Sequence, residues 1–73
     1  MDAITVGNVI RQFRSKKGLS QEVLSGLADI NRRYLSRVEL GKSIPSVIVL
    51  YRLADALGIK ASDLMKAMEK ELE

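Results

Sequence analysis

The sequence predicts an all-α fold, a compact bundle of five short helices around one small core. The first observation is that apolar residues recur every three or four positions in successive segments, the spacing of helices buried on one side. The second is that glycines or a proline-containing loop separate these segments, as expected at helix ends. The third is the length, because 73 residues, of which 47% are hydrophobic, can bury one core but not two.

The first two helices are predicted from their apolar spacing and from the residues at their ends. A helix over about residues 4–17 carries one apolar stripe and ends at Gly18. The stripe consists of Val6, Val9, Ile10 and Phe13. Ser20 can cap a second helix that ends near Ala28. Its core-facing residues are expected to be Val23, Leu24 and Leu27.

A very short connection joins the second predicted helix to the third. Asp29 lies where the chain must turn sharply, and Asp tolerates the left-handed backbone conformation better than most residues other than Gly. Asn31 can cap a third helix that continues to about Leu40 before Gly41 ends it. Two short helices joined by about three residues form a helix-turn-helix, whose second helix can lie in the major groove of duplex DNA.

The fourth and fifth helices complete the predicted bundle. Ser46 can cap a helix that ends at Gly58. The helically spaced apolar residues of this segment are Val47, Leu50, Tyr51, Ala54 and Leu57. Its β-branched start, residues 47–49, could alone form a strand, but the length and the absence of hairpin turns favour a helix. A fifth helix over about residues 62–72 has an apolar stripe made of Leu64, Met65, Met68 and Leu72.

Composition excludes several classes of function. The chain has no cysteine and no histidine, so disulfides, thiolate or imidazole metal ligands and imidazole acid–base catalysis are unavailable. Carboxylate and serine–lysine pairs occur without a catalytic motif, and we therefore expect neither enzymatic activity nor a cofactor. No apolar run approaches the roughly 20 residues that a membrane span requires. We expect a cytoplasmic protein with no membrane partner and no small-molecule ligand.

The net charge of +3 is distributed unevenly along the chain. Residues 1–52 hold nine basic and four acidic side chains, whereas residues 53–73 hold three and five. One polar face of the third predicted helix spans about 140° of its surface and consists of Arg32, Arg33, Ser36 and Arg37. Arg33 and Arg37 are four residues apart, and such like-charge pairs weaken an isolated helix. The face therefore favours an external anion such as DNA over a merely solvated surface.

Two stretches of the chain resemble a known family. They read LSQEVLSGLADINRRYLSRVELGKSIPS, from Leu19 to Ser46, and LYRLADALGI, from Leu50 to Ile59. They are similar to the phage-repressor-like (Cro/repressor, XRE-type) helix-turn-helix transcription regulators, and small dimeric members such as restriction–modification controller proteins look similar in length. The resemblance implies a lambda-repressor-like DNA-binding domain over residues 1–73, with the helix-turn-helix at about residues 20–40.

The resemblance also implies roles for individual residues. Positions that face base edges match Arg32, Arg33, Ser36 and Arg37. Positions at the sugar–phosphate backbone match Gln21, Asn31, Tyr34, Lys42 and Ser43. Gln21 could instead simply start its helix, and Tyr34 could instead lie at the core edge. Arg14 and Glu39 match a structural ion pair between the first and third helices. The family usually has Ala at Ser25 and Gly at Asp29, so slightly looser packing is expected there.

We expect the chain to act on double-stranded DNA as a homodimer. Four short helices offer only a small core, so part of the last apolar stripe should remain for a second copy. The predicted dimer interface is Leu64, Met65, Met68 and Leu72, to which Val49 and Leu53 could add. A two-fold dimer would place two groove-reading helices about 34 Å apart, which implies a palindromic operator. The alternative is a protein-interaction module of the antitoxin or coactivator type, against which the charged face argues.

Overall fold

The computed structural model describes residues 1–71, which form five α-helices and contain no strand. The helices are α1 (Ala3–Lys16), α2 (Gln21–Ala28), α3 (Arg32–Glu39), α4 (Val47–Ala56) and α5 (Ala61–Glu71). The predicted fold class and order of elements are confirmed, with boundaries close to those expected. None of these helices is long and apolar enough to cross a membrane.

Four of the helices begin at a side-chain cap, which satisfies an N–H group that has no partner within the helix. Ser20 accepts a hydrogen bond from Val23 N at 3.1 Å, and Ser46 accepts one from Val49 N at 3.1 Å. Asn31 caps α3 in the same way. The three predicted caps are therefore confirmed, and Asp2 adds a fourth by accepting from Thr5 N at 2.8 Å.

One apolar cluster holds the helices together. α1 packs against α3 and α5, α2 packs against α3 and α4, and α4 packs against α5. The buried residues of the cluster are Val6, Val9, Ile10, Leu24, Ala28, Leu35, Val38, Leu53, Ala54, Leu57, Leu64 and Met68. α3 thus packs against α1 and α2, and the arginines on its opposite side are exposed.

Gly7 allows α1 and α3 to touch. A Cβ atom at this position would overlap the carbonyl oxygen of Val38 and would lie only 2.8 Å from the carbonyl oxygen of Glu39. Any larger residue would therefore push α3 away from α1. Apolar spacing did not single out Gly7, although a glycine inside a helix, which costs stability, is a signal of such close contact.

The predicted core face of α2 is partly wrong. Leu24 is fully buried, but Val23 is 48% exposed and Leu27 is 61% exposed. α3 and α4 cover this eight-residue helix from one side only, and the residues on that side are Leu24, Ser25 and Ala28. Ser25 is buried without loss, because its hydroxyl donates to the Glu22 carbonyl oxygen at 3.0 Å.

The expected division between core and interface in the last two helices also needs correction. Leu64, Met68 and Leu53 are fully buried within the chain's own core, so they offer no surface to a second copy. α1 and α4 enclose α5 more completely than its helical spacing indicates. Val47 and Tyr51, which share helical spacing with the core residues of α4, are instead exposed. Of the predicted interface, Met65 remains partly exposed and Leu72 lies outside the described residues.

Candidate nucleic-acid interface

The turn between α2 and α3 is built from three residues, Asp29 to Asn31. Asp29 has φ 55° and ψ 47°, the left-handed conformation that its position in the sequence predicted. Its N–H donates to the Gly26 carbonyl oxygen, and the next N–H, from Ile30, donates to the Ser25 carbonyl oxygen at 2.9 Å. These bonds satisfy the end of α2. Asn31 then begins α3 by accepting from Arg33 N at 2.8 Å, so the two helices keep a defined relative orientation.

The four predicted base-reading residues lie together on the outer side of α3. We call Arg32, Arg33, Ser36 and Arg37 the α3 face. The three arginines are exposed and Ser36 is half-buried, whereas Leu35 and Val38 on the inner side are fully buried. Together with Asn31, part of this face lines a shallow, open depression. Within residues 1–71, no carboxylate lies within 4.0 Å of these arginines, so their charge remains available to an external anion.

Three of the predicted backbone-binding residues, Gln21, Asn31 and Ser43, already have hydrogen-bond partners within the chain. Asn31 uses its side-chain oxygen to cap α3, which leaves its amide nitrogen as the donor. Ser43 accepts a hydrogen bond from Arg37 Nε at 3.2 Å. Tyr34 packs against the core with partial exposure, and Lys42 is exposed. The structure thus links Arg37 and Ser43, which the sequence assigned to different kinds of contact.

Arg14 and Glu39 form the ion pair that was expected between α1 and α3. Arg14 Nε lies 2.7 Å from Glu39 Oε2, and Arg14 Nη2 lies 2.8 Å from Glu39 Oε1. The side chain of Glu39 is 3% exposed, so a buried carboxylate accepts two hydrogen bonds from one guanidinium group. The hydrogen bonds to Glu39 raise the pKa of Arg14 above its usual value. Gln21 also joins this pair, since its side-chain nitrogen donates to Glu39 Oε1 at 3.0 Å.

Arg52 is a basic residue near the turn that sequence reasoning missed. It lies on α4, and its Nη1 donates to the carbonyl oxygen of Asp29 at 3.5 Å. The residue is exposed. Its contact spans 23 positions of the chain, so helical spacing carried no signal for it. Arg52 adds positive charge beside the helix-turn-helix.

A second surface of the molecule is apolar. Val47, Leu50, Tyr51, Ala61, Ser62 and Met65 line a groove of about 290 Å³ between α4 and α5, here named the α4–α5 surface. Val47 is 68% exposed and Tyr51 is 63% exposed. Large apolar side chains are costly to leave in water, so covering this surface would be favourable.

Comparison with known proteins identifies the family. A helix-turn-helix family model, HTH_3, matches residues 10–64, which include α2, the turn, α3 and α4. The chain belongs to the helix-turn-helix family of XRE-type transcription regulators. The family resemblance predicted from the residues is therefore confirmed, and the family is one of DNA-binding regulators rather than of enzymes.

Individual members of this helix-turn-helix family are similar over most of their length. The control protein C.MunI from Mycoplasma sp is 38% identical over 69 residues, which cover 93% of each chain. An uncharacterised HTH-type transcriptional regulator, y4dJ from Sinorhizobium fredii, is 40% identical over 60 residues, which cover 82% of this chain and 78% of that protein. The crystal structure of the restriction-modification controller protein C.AhdI from Aeromonas hydrophila superposes with a TM-score of 0.82 at 37% identity, covering 85% of this chain and 94% of that one.

Proposed function

We propose that this helix-turn-helix protein binds a specific sequence of double-stranded DNA by placing α3 in the major groove. The observation that carries the proposal is the α3 face, whose exposed arginines have no carboxylate partner within the described chain. Arginine can donate two hydrogen bonds to O6 and N7 of guanine, the commonest specific contact in this groove. Because α1 and α2 support α3 from behind, the arginines would meet the bases from a fixed position.

The residues around the α3 face would hold the protein on the sugar–phosphate backbone. Gln21, Asn31, Tyr34, Lys42 and Ser43 all carry side-chain donors. Donors of this kind set the register of a protein on DNA without reading its sequence. Arg37 donates to Ser43, so the Ser43 hydroxyl would accept from a base-reading residue and donate its own hydrogen to a phosphate.

We infer that two copies bind together through the α4–α5 surface. This surface keeps Met65 of the interface expected from the sequence but not Leu64 or Met68, which are buried. Val47, Tyr51 and Met65 supply the apolar area that a second copy would cover. A two-fold dimer presents two α3 helices to successive major grooves about 34 Å apart and requires a palindromic operator. One helix-turn-helix domain over residues 1–73 would supply each half of the complex.

The similarity to C.MunI and C.AhdI supports a role as a small transcription regulator of the controller type. C.MunI is named a control protein, C.AhdI is named a restriction-modification controller protein, and each match covers most of both chains. The position of the operator relative to a promoter would then decide between repression and activation.

Selection from a random pool of DNA duplexes tests the proposal. We expect enrichment of a palindromic site that contains guanine in each half. Arg32→Ala and Arg37→Ala should each weaken binding to this site by about tenfold or more and relax the preference at one position. Lys42→Ala should weaken all duplexes alike and reduce the salt slope by about 0.9.

Lys66→Ala is the matched control, because it also removes one exposed positive charge but from α5. It should leave site preference unchanged. If no site is enriched, or if the two arginine variants keep the wild-type preference, the proposal is wrong. Partner binding that persists at high salt and requires the α4–α5 surface would instead favour a protein-interaction module.

A further inference from the structure

Glu39 connects three of the helices at one buried carboxylate. It accepts hydrogen bonds from Arg14 of α1 at 2.7 and 2.8 Å and from Gln21 of α2 at 3.0 Å, while Glu39 itself ends α3. Arg14 also donates from Nη1 to the carbonyl oxygen of Leu19 at 2.9 Å, which lies just before α2. This group of contacts therefore joins the start of α2, where a phosphate is expected, to the helix that reads the bases.

The chemistry of the carboxylate determines how the Gln21 side chain is oriented. A glutamine amide has a donor end and an acceptor end, and rotation by half a turn exchanges them. An ionised carboxylate only accepts hydrogen bonds, so Glu39 requires the NH₂ end of Gln21 to face it. One amide hydrogen is used in this bond, and the second is left as a donor. A DNA phosphate is also only an acceptor, so this is the orientation that phosphate binding needs.

The charge of Arg14 makes this arrangement compatible with an approaching phosphate. A buried carboxylate without a cation would repel the phosphate and would be costly to bury. Arg14 neutralises Glu39 through two hydrogen bonds, so the pair has no net charge. Glu39 already has a bidentate partner in Arg14, which means that its burial does not depend on Gln21. The bond to Gln21 is therefore an additional feature of the site.

We propose that Glu39 is a positioning residue for DNA binding: held by Arg14, it orients the Gln21 amide so that a hydrogen points at a backbone phosphate. The proposal rests on the proposed function, since it concerns the same DNA interface. It assigns the ion pair a role in binding in addition to its role in linking α1 to α3.

A double-mutant cycle tests this role. The neutral-pair variant carries Arg14→Met together with Glu39→Gln, so that the net charge of the chain stays the same. An amide at position 39 can donate or accept a hydrogen bond, so it can pair with either end of the Gln21 amide. We expect the neutral-pair variant to weaken binding to the selected operator duplex by about three- to tenfold, the effect of one lost hydrogen bond. In a Gln21→Ala background the same changes should have less than about a twofold effect, because no amide remains to be oriented. The salt slope should not change, since no phosphate-binding cation is lost.

The control variant is Val9→Ala, which shortens a buried core residue whose side chain forms none of the hydrogen bonds of this group. It should lower stability but leave operator affinity unchanged at a temperature where every variant is folded. Equal weakening of DNA binding by the neutral-pair changes in both backgrounds would overturn the proposal. If the wild-type protein selects no duplex at all, the proposed function itself fails, which is a different result.

A measurement on the wild-type protein keeps the test valid even if the neutral-pair variant does not fold. The two side-chain amide protons of Gln21 can be assigned by NMR from the signals that disappear in Gln21→Ala. When the operator duplex is added, we expect the chemical shift of the proton bonded to Glu39 to stay the same and that of the other proton to change. Movement of both protons, or of neither, would contradict the proposed orientation.

Discussion

α3 and the first half of α4 both expose side chains that the core does not use, but the chemistry of these side chains differs. α3 exposes Arg32, Arg33 and Arg37, while α4 exposes Val47 and Tyr51. Both helices are attached to the core by fully buried residues on their other sides. The contrast is therefore not one of packing but of what each outer surface can bind.

The contrast shows that the two surfaces would bind a partner through different sources of free energy. An exposed arginine is well hydrated, so the α3 face is stable in water, and we expect it to bind DNA through charge, with strong dependence on salt. Exposed apolar area is unfavourable in water, so covering the α4–α5 surface is itself a source of free energy and depends little on salt. Self-association and DNA binding should therefore respond differently to ionic strength.

The largest expected effect comes from breaking the support of α3. In Gly7→Ala the new methyl group would meet the carbonyl oxygens of Val38 and Glu39, which belong to the backbone and cannot turn aside. We expect a loss of about 3 kcal/mol or more in the free energy of unfolding, measured by urea titration, and a matching loss of operator binding. If the variant unfolded at the same urea concentration as the wild-type protein, α1 and α3 could not be as close as the structure places them.

The second prediction breaks the α4–α5 surface and leaves the α3 face intact. Tyr51→Glu places a charge where apolar contact is expected, and because Tyr51 is 63% exposed the monomer should still fold. The dissociation constant of the dimer, measured by sedimentation, should rise about thirtyfold or more, the effect of losing a central interface residue. Leu27→Glu is the control, since Leu27 is 61% exposed but lies on α2. Equal effects of the two substitutions would place the interface elsewhere.

A third, smaller effect concerns two glycines whose substitution should change stability without changing the α3 face or the α4–α5 surface. Gly26 lies inside α2 with open space where a Cβ atom would be, so Gly26→Ala should stabilise the protein by about 1 kcal/mol. Gly18 also has open space but has φ +68°, so Gly18→Ala should destabilise it by about 1 kcal/mol. Thermal unfolding of the two variants should shift in opposite directions, while operator affinity stays the same. Shifts in the same direction would refute the role given to backbone conformation.

The smallest effect concerns the start of α1, away from both surfaces. The hydrogen bond from Thr5 N lowers the pKa of Asp2. A carboxyl whose pKa is lowered on folding stabilises the protein above its unfolded pKa, and this contribution is lost as pH falls through the folded pKa.

Asp2→Asn keeps a capping oxygen that does not titrate. We expect the two proteins to have similar melting temperatures at neutral pH and the wild type to lose more stability in acid. Melting curves recorded over the acid range would check this, and a constant difference between the proteins at every pH would count against the cap.

Features that depend on neighbouring residues could be predicted from the sequence. Ser20, Asn31 and Ser46 cap helices through contacts within three residues, and Asp29 takes the left-handed conformation within its own turn. Helical periodicity alone was enough to place the arginines of the α3 face on one side of their helix. The ion pair of Arg14 and Glu39 was expected only from the family resemblance, because 25 positions separate the two residues.

Other features were decided when distant segments packed together. Helical spacing identified apolar stripes on α4 and α5. Only the packing of α5 against α1 and α4 places Leu64 and Met68 inside, and only the packing of α4 against α2 and α5 leaves Val47 and Tyr51 outside. The bond from Gln21 to Glu39 likewise joins residues 18 positions apart. The sequence by itself determined the helices, their ends and the charged side of α3, because these follow from local geometry. The tertiary structure decided which apolar side chains form the core and which polar groups meet, because both depend on contacts between segments far apart in the chain.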